Sequence, residues 1–309
     1  MKKTKKPLRK YAEIVGFCVL VYSVWAGRHV LYDSFTEIKN ANVLLICAAF
    51  FVAWFNFLWS ALSYKLLAKN VHLKTILLVH IAASGPGRVI PGGAGHFSFG
   101  ILYLKRQKYS LEQAVAIATI NNVLGFTTNI MFFLPILLFK PNYLPDVSFA
   151  PNTIYIGLAL CTVLLVARVL YTKNRKLHKG ADKTKKEILK KARELVKNPG
   201  RFTALIATMA AQVVTHVTVL LLASYALGTG VSPLTAFVAM SSGVALGSLV
   251  PTPGGIGGVE AGLITSLLAF GLSSQDATAI ALTYRSATYV QPLLPGILCY
   301  MYLRKKNLL

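Results

Sequence analysis

Glycine and proline break two apolar segments of this chain, the first at Ser84-Gly-Pro-Gly-Arg-Val-Ile-Pro-Gly-Gly-Ala-Gly95 and the second at Pro251-Thr-Pro-Gly-Gly-Ile-Gly-Gly258. The apolar arms of the first segment, residues 75–104, are about 10 to 13 residues long, whereas a helix needs about 20 residues to cross a bilayer. Non-helical backbone is tolerated at membrane depth only where protein or water covers it. The pattern therefore predicts two re-entrant helical hairpins with broken tips, over residues 75–104 and 234–270.

The composition is that of a membrane protein. Of 309 residues, 55% are hydrophobic and 14% are charged, against about 25% charged in soluble domains. This excludes a soluble enzyme, a disordered chain and a disulfide scaffold. We predict a single all-α polytopic membrane domain over residues 1–309, with two re-entrant broken hairpins and about six transmembrane spans, at residues 13–26, 41–64, 111–138, 153–171, 202–227 and 278–303.

The net charge of +23 would suggest nucleic acid in a soluble chain. Here the cations lie almost entirely outside the apolar segments, as the positive-inside rule requires. Following the chain from a cytosolic N-terminus places 27 of the 33 Lys and Arg residues in the cytosol. We therefore predict a multi-pass protein of the plasma (inner) membrane, with both termini and the basic loop 172–201 cytosolic and with no nucleic-acid partner.

The two broken hairpins resemble each other in sequence. Pro91-Gly-Gly-Ala-Gly95 matches Pro253-Gly-Gly-Ile-Gly257, and Gly100 matches Gly262 at the same offset. After one inserted residue, four further matches follow: Ser110 with Ser273, Ala114 with Ala277, Ala116 with Ala279 and Ile117 with Ile280. The charge pattern gives the repeats, residues 41–139 and 202–303, opposite orientations, which is typical of transporters with a site at the repeat interface. The alternative is a chance similarity of glycine- and proline-rich turns.

The segment Gly247-Ser-Leu-Val-Pro-Thr-Pro-Gly-Gly-Ile-Gly-Gly-Val-Glu-Ala-Gly262 resembles the signature of the lysylphosphatidylglycerol synthase membrane region, a flippase-like family of inner-membrane proteins. The resemblance covers roughly residues 12–303. It implies movement of lipids, lipid-linked sugars or aminoacylated lipids across a bilayer. The synthases carry a soluble aminoacyl-transferase domain after this region, and this chain stops at Leu309. The resemblance therefore does not imply lipid lysylation here.

Charged residues within the apolar segments are few, and such residues indicate function by default because burying them in a membrane is costly. Arg88 precedes the first tip, Glu260 follows the second, and Arg285 lies in the last predicted span. Two arginines beside helix N-termini favour phosphate, with Glu260 holding an arginine or exchanging a proton. The alternative is a Glu260–Arg285 salt bridge that only joins the repeats.

The tip residues complete the predicted substrate-binding set. Glycines allow close backbone approach, and His96 could contact a headgroup or merely face water. The full set of predicted substrate-binding residues is Arg88, His96, Glu260, Arg285, Gly92, Gly93, Gly254, Gly255 and Gly257.

No nucleophile, metal or nucleotide motif is recognisable, so we expect neither enzymatic activity nor a cofactor. The leading hypothesis is a lipid transporter that moves an anionic phospholipid or a polyprenyl-phosphate-type headgroup without its own ATPase. The alternatives are an intramembrane lipid-phosphate enzyme and a membrane scaffold for a glycosyltransferase, and a lipid-modifying enzyme is a possible partner.

Overall fold

The computed structural model describes residues 39–89, 94–139, 175–249, 252 and 254–309. Within these ranges the regular structure is entirely helical. The α-helices, numbered in chain order, are α1 Val43–Ala53, α2 Phe55–Leu67, α3 Leu73–Ala83, α4 Ala94–Arg106, α5 Leu111–Phe139, α6 Arg175–Val196, α7 Pro199–Ala226, α8 Pro233–Leu249, α9 Gly258–Ala269, α10 Ser274–Arg285 and α11 Leu293–Lys305. The predicted spans at residues 13–26 and 153–171 lie outside the described residues.

Among the described residues, three helical stretches are long and apolar enough to cross a membrane: Val43–Leu67, Leu111–Phe132 and Pro199–Ala226. They overlap the predicted spans at residues 41–64, 111–138 and 202–227. Large apolar side chains on them face outward, and Phe126 on α5 is 70% exposed. Such exposure is stable where lipid, not water, surrounds the helix. The described chain is therefore that of an all-helical membrane protein.

Both glycine- and proline-rich stretches interrupt helices, as predicted. The first break lies between α3 and α4 and contains a 3₁₀ turn at Pro86–Val89. The second separates α8 from α9. A helix runs through the basic loop as well, where α6 covers the predicted helical segment 183–196. The re-entrant course of the hairpins and their opposite orientation stay predictions.

The last predicted span, residues 278–303, is not one continuous α-helix. It is divided between α10 and α11 by a π-helical turn at Ser286–Val290. The turn is closed by the Gln291 N–H, which donates to the Ser286 carbonyl at 2.9 Å. Pro292 explains the break, because proline has no N–H for the α-helical bond and its ring crowds the preceding turn. The apolar composition of this stretch masked the interruption.

The described residues form two compact units. The first comprises the described part of Met1–Phe57 together with Ile81–His96 and Val213–Met301. The second comprises Leu58–His80, the described part of Phe97–Gln212, and Tyr302–Leu309. In the first unit α8 packs closely on α9, because a Cβ placed on Gly262 would lie 2.6 Å from the Ser242 carbonyl oxygen. In the second unit α5 packs against α6.

Residues matched between the two sequence repeats have the same local roles. The Ser110 hydroxyl accepts from the Gln113 N–H at 3.2 Å and caps α5. The Ser273 hydroxyl accepts from the Asp276 N–H at 3.1 Å and caps α10. The residues matched after each cap are buried, namely Ala114, Ala116 and Ile117 on α5 and Ala277, Ala279 and Ile280 on α10. The sequence matches therefore mark equivalent helix starts with equivalent buried faces.

Candidate functional site

A cavity of about 300 Å³ lies within the first unit, and residues from both broken tips line it. The first tip contributes Arg88 and His96, and the second contributes Gly254 and Gly255. The remaining lining residues come from helices of the same unit or from beside the tips, and they are Gly87, Gly95, His216, Val244, Gly247, Ser248, Val259, Tyr284, Arg285, Thr288 and Tyr289. Two stretches far apart in sequence thus form the wall of one cavity, which also holds two arginines.

Arg88 binds two backbone carbonyls next to the helix break before Pro292. Since Pro292 has no N–H, the Thr288 carbonyl lacks its α-helical partner. The Arg88 guanidinium donates to this carbonyl at 2.9 Å and also donates to the Tyr289 carbonyl. The Ser84 hydroxyl lies 3.1 Å from the Pro292 carbonyl oxygen. The first tip is therefore fastened to the π-helical turn by polar contacts.

Arg285 and Glu260 form an ion pair at the second tip. The Arg285 Nε donates to Glu260 Oε1 at 2.6 Å, and its Nη2 donates to the Gly254 carbonyl at 3.3 Å. The other carboxylate oxygen of Glu260 accepts from the Gly257 N–H at 2.8 Å. Glu260 therefore neutralises Arg285 and also caps the start of α9, where a negative charge offsets the helix dipole.

Tyr289 lies beside both arginines, and it is not among the predicted substrate-binding residues. The guanidinium carbon is 4.0 Å from the ring centroid for Arg88 and 4.4 Å for Arg285. Both distances are within the range of cation–π attraction. One signal was present, since Tyr289 follows Arg285 by four residues and residues at that spacing share a helix face. The missing information was that Arg88 reaches the same ring.

The structure brings together most of the predicted site residues. Arg88, His96, Arg285, Gly254 and Gly255 line the cavity. Glu260 reaches the site through its ion pair with Arg285. Gly257 is exposed at the start of α9 and does not line the cavity, and Gly92 and Gly93 lie outside the described residues.

His216 of α7 also lines the cavity. Its Nδ1 lies 2.9 Å from the Tyr284 hydroxyl. The sequence analysis left this histidine out of the predicted site. No sequence signal placed α7 at the cavity, because His216 and Tyr284 lie on different helices and are 68 residues apart in the chain.

The charge of the described cavity favours an anion. Arg285 is compensated by Glu260, whereas Arg88 has no carboxylate within salt-bridge distance in the described part of the chain. A guanidinium has five N–H donors, and the carbonyls of Thr288 and Tyr289 occupy only two of those on Arg88. Both arginines are partly exposed and line the cavity. Forked donors of this kind match the oxygens of a phosphate or carboxylate.

Comparison with known proteins agrees with the resemblance found in the sequence. No curated protein matches the chain. The family described as the lysylphosphatidylglycerol synthase TM region matches residues 14–296, which includes both broken tips and all the cavity residues. A match of this extent, together with three apolar helical stretches long enough to span a bilayer, shows that this membrane protein belongs to the lysylphosphatidylglycerol synthase transmembrane-region family.

Proposed function

We propose that the protein is a lipid transporter that moves an anionic lipid or lipid-linked headgroup across the membrane. The observation that carries the proposal is Arg88, a partly exposed cation on the cavity wall with no carboxylate partner among the described residues. A phosphate oxygen would accept from its free N–H donors. The acyl chains would stay in the bilayer while the headgroup passes through the cavity.

The Glu260–Arg285 pair offers a way to couple binding to movement. A headgroup phosphate competes with Glu260 for the donors of Arg285, because both are anions. Exchange of partners would loosen the contact that holds Arg285 to the second tip, where Gly254 and Glu260 both bind it. Transport then requires no covalent step and no cofactor, and it proceeds down a gradient or coupled to ions without ATP hydrolysis by this chain.

The proposed architecture follows from the repeats and the charge distribution. It has about six spans and two re-entrant hairpins in inverted orientation, in the plasma (inner) membrane, with both termini in the cytosol. Inverted repeats with broken helices allow one site to open alternately to each side. The family membership favours a lipid substrate of the anionic phospholipid or polyprenyl-phosphate type, and a lipid-modifying enzyme as a partner.

A proteoliposome assay tests the proposal. Purified protein is reconstituted with fluorescent or spin-labelled anionic lipids, and headgroup exposure on each leaflet is followed by an impermeant quencher. Headgroup movement with unchanged lipid mass supports transport. A new lipid product would instead show an intramembrane enzyme, and neither result would favour a scaffold for a glycosyltransferase. Protein-free liposomes of the same composition give the uncatalysed rate.

We expect the tip glycines to differ in their tolerance of alanine. Gly254 and Gly257 both have positive φ values, 63° and 85°, and a residue with a Cβ is strained by about 1–3 kcal/mol in such a sparsely populated conformation. A Cβ on Gly254 would also lie 2.3 Å from the Tyr289 ring, whereas a Cβ on Gly257 meets nothing within 4 Å. In the proteoliposome assay, Gly254→Ala should therefore lower transport about tenfold or more, by displacing Tyr289, and Gly257→Ala should lower it less.

Gly271 supplies the matched control for these glycine variants. It has a φ of 87° with open space around it, and it lies outside the cavity. Gly271→Ala should lower the melting temperature as Gly257→Ala does, but leave transport unchanged. Valine at either tip position, Gly254→Val or Gly257→Val, should abolish transport. Full activity of both valine variants would contradict a role for tip geometry.

The proposed topology predicts which side of the membrane each loop faces. In a cysteine-free background, Lys183→Cys in α6 should react with an impermeant thiol reagent only from the cytosolic side, because the loop 172–201 carries 12 of the 33 cations. Asn142→Cys lies between the predicted spans 111–138 and 153–171, a segment that the proposed topology places outside, and it should react only from that side. Exclusive external labelling of Lys183→Cys would overturn the topology.

A further inference from the structure

A second cationic pocket lies in the second unit, apart from the transport cavity. It has a volume of about 480 Å³ and is lined by Lys65, Lys69, Asn70, Val71, His72, Arg106, Gln107 and Lys108. We refer to it as the basic pocket. Its volume is within the range of small-ligand sites. Four of its eight lining residues are lysine or arginine, a fifth is histidine, and none is acidic.

The basic pocket is located where a lipid headgroup would be. Lys65 is in the last turn of α2, and α2 completes the apolar stretch Val43–Leu67, which is long enough to cross a bilayer. The polar end of such a stretch lies at headgroup level. Basic pockets between membrane helices at this level recognise anionic lipid headgroups.

Backbone contacts hold the walls of the pocket. The Lys65 ammonium donates to the Val71 carbonyl at 2.5 Å, which closes the turn between α2 and α3. The Asn70 N–H donates to the Tyr109 hydroxyl at 3.4 Å, which connects that turn to the segment after α4. These contacts fix the backbone of the two walls from which the exposed side chains of Lys69, Arg106 and Lys108 extend.

Lys108 has a backbone conformation that is unusual for lysine. Its φ is 66°, and the Tyr109 N–H donates to the Leu104 carbonyl at 3.1 Å. This hydrogen bond is that of a helix end at which glycine normally follows the last turn. Lysine at this position is strained, and strained residues cluster at functional sites. Unlike glycine, lysine at this position places a cation on the pocket wall.

We propose that the basic pocket binds the phosphate group of an anionic membrane lipid, at a site separate from the transport cavity. The ammonium groups of Lys69 and Lys108 and the guanidinium of Arg106 surround the phosphate, while the acyl chains remain in the adjoining leaflet. The simpler explanation for these cations is that they only orient the protein in the membrane, as the positive-inside rule describes. That explanation requires neither a pocket nor a strained lysine.

Equilibrium binding to the full-length protein in neutral detergent tests this, with every variant made in an Arg88→Gln background so that the transport cavity does not contribute to binding. The probes are dioctanoyl phosphatidic acid, inorganic phosphate, and dioctanoyl phosphatidylcholine as the lipid without net charge. The double variant Lys69→Gln/Arg106→Gln should weaken phosphatidic acid binding about 20- to 30-fold, given the usual contribution of each cation near a membrane surface. Equal affinity for inorganic phosphate would instead identify a free-phosphate site and overturn the lipid assignment.

The control is Lys74→Gln/Lys105→Gln, which removes the same charge from exposed neighbours that do not line the pocket. It should change binding less than about threefold, because only pocket cations contact the phosphate. If both double variants weaken binding equally, the effect is one of general surface charge and the proposal is wrong. Photoactivatable phosphatidic acid gives an independent measurement, with cross-links expected in peptides containing residues 65–72 and 105–109. Their absence there would contradict the site.

The Lys108→Gly variant removes both the backbone strain and the charge of Lys108, and two different measurements report on them. It should raise the melting temperature, because glycine adopts positive φ without cost, and weaken phosphatidic acid binding about fivefold by removing one cation. Asn307→Gly is the control, since Asn307 also has positive φ, 53°, and does not line the pocket. It should leave binding unchanged. Unchanged or tighter binding by Lys108→Gly would overturn the proposal.

Discussion

Replacing Arg88 with glutamine should lower headgroup translocation by about 100-fold or more in the proteoliposome assay. A hydrogen bond to a charged group contributes about 1.5–3 kcal/mol, and a loss of about 2.7 kcal/mol corresponds to a factor of 100. Arg88 is the cavity cation without a carboxylate partner in the described part of the chain. Its loss therefore removes the positive charge that favours an anion there.

Two further variants, Arg88→Lys and Arg201→Gln, serve as controls for folding. Arg88→Lys keeps the charge but cannot bind the Thr288 and Tyr289 carbonyls as a fork, and we expect about a tenfold loss. Arg201 also donates from a guanidinium to a backbone carbonyl, that of Leu66, but lies outside the cavity. Arg201→Gln should lower the melting temperature without a comparable loss of transport. Wild-type transport by folded Arg88→Gln would exclude Arg88 from the substrate site.

The Glu260–Arg285 pair should be needed both for stability and for transport, and the two effects can be separated. The side chains are 23% and 12% exposed, so removal of one partner leaves a largely buried charge. Each of Glu260→Gln and Arg285→Gln should cost about 2–3 kcal/mol, somewhat below the value for a fully buried pair. Glutamine at position 260 can still accept from the Gly257 N–H, so the helix cap is retained. The double variant should recover most of the stability but remain inactive.

A melting series with and without dioctanoyl phosphatidic acid distinguishes a site from a purely structural contact. Ligand that binds the folded state raises the melting temperature, and Arg285→Gln should show a smaller rise than the wild type. The Lys191–Glu194 pair on α6, at 3.2 Å and with its carboxylate 44% exposed, supplies the control, since an ion pair open to solvent contributes about 1 kcal/mol or less. An active double variant with the wild-type lipid response would leave Arg88 and the tip backbone as the binding groups.

Several features of the fold could be predicted because they depend on local properties of the chain. Apolar composition located the helices α2, α5 and α7, and proline with glycine located the breaks before α4 and α9. The same reasoning did not locate the π-helical turn before Pro292 within the last predicted span. The hydrophobicity of a segment indicates whether lipid, protein or water surrounds it. It does not indicate which backbone hydrogen bonds the segment makes.

The sequence by itself determined that this is a membrane protein with two broken segments and a few charges near them, because the cost of exposing polar backbone and charge to lipid acts on every segment separately. Only the tertiary structure decided which of these charges meet. Arg88 reaches the carbonyls of Thr288 and Tyr289 about 200 residues further along the chain, and His216 joins the same cavity from α7. These contacts depend on how whole helices pack, and residue spacing within one helix contains no information about the face of another.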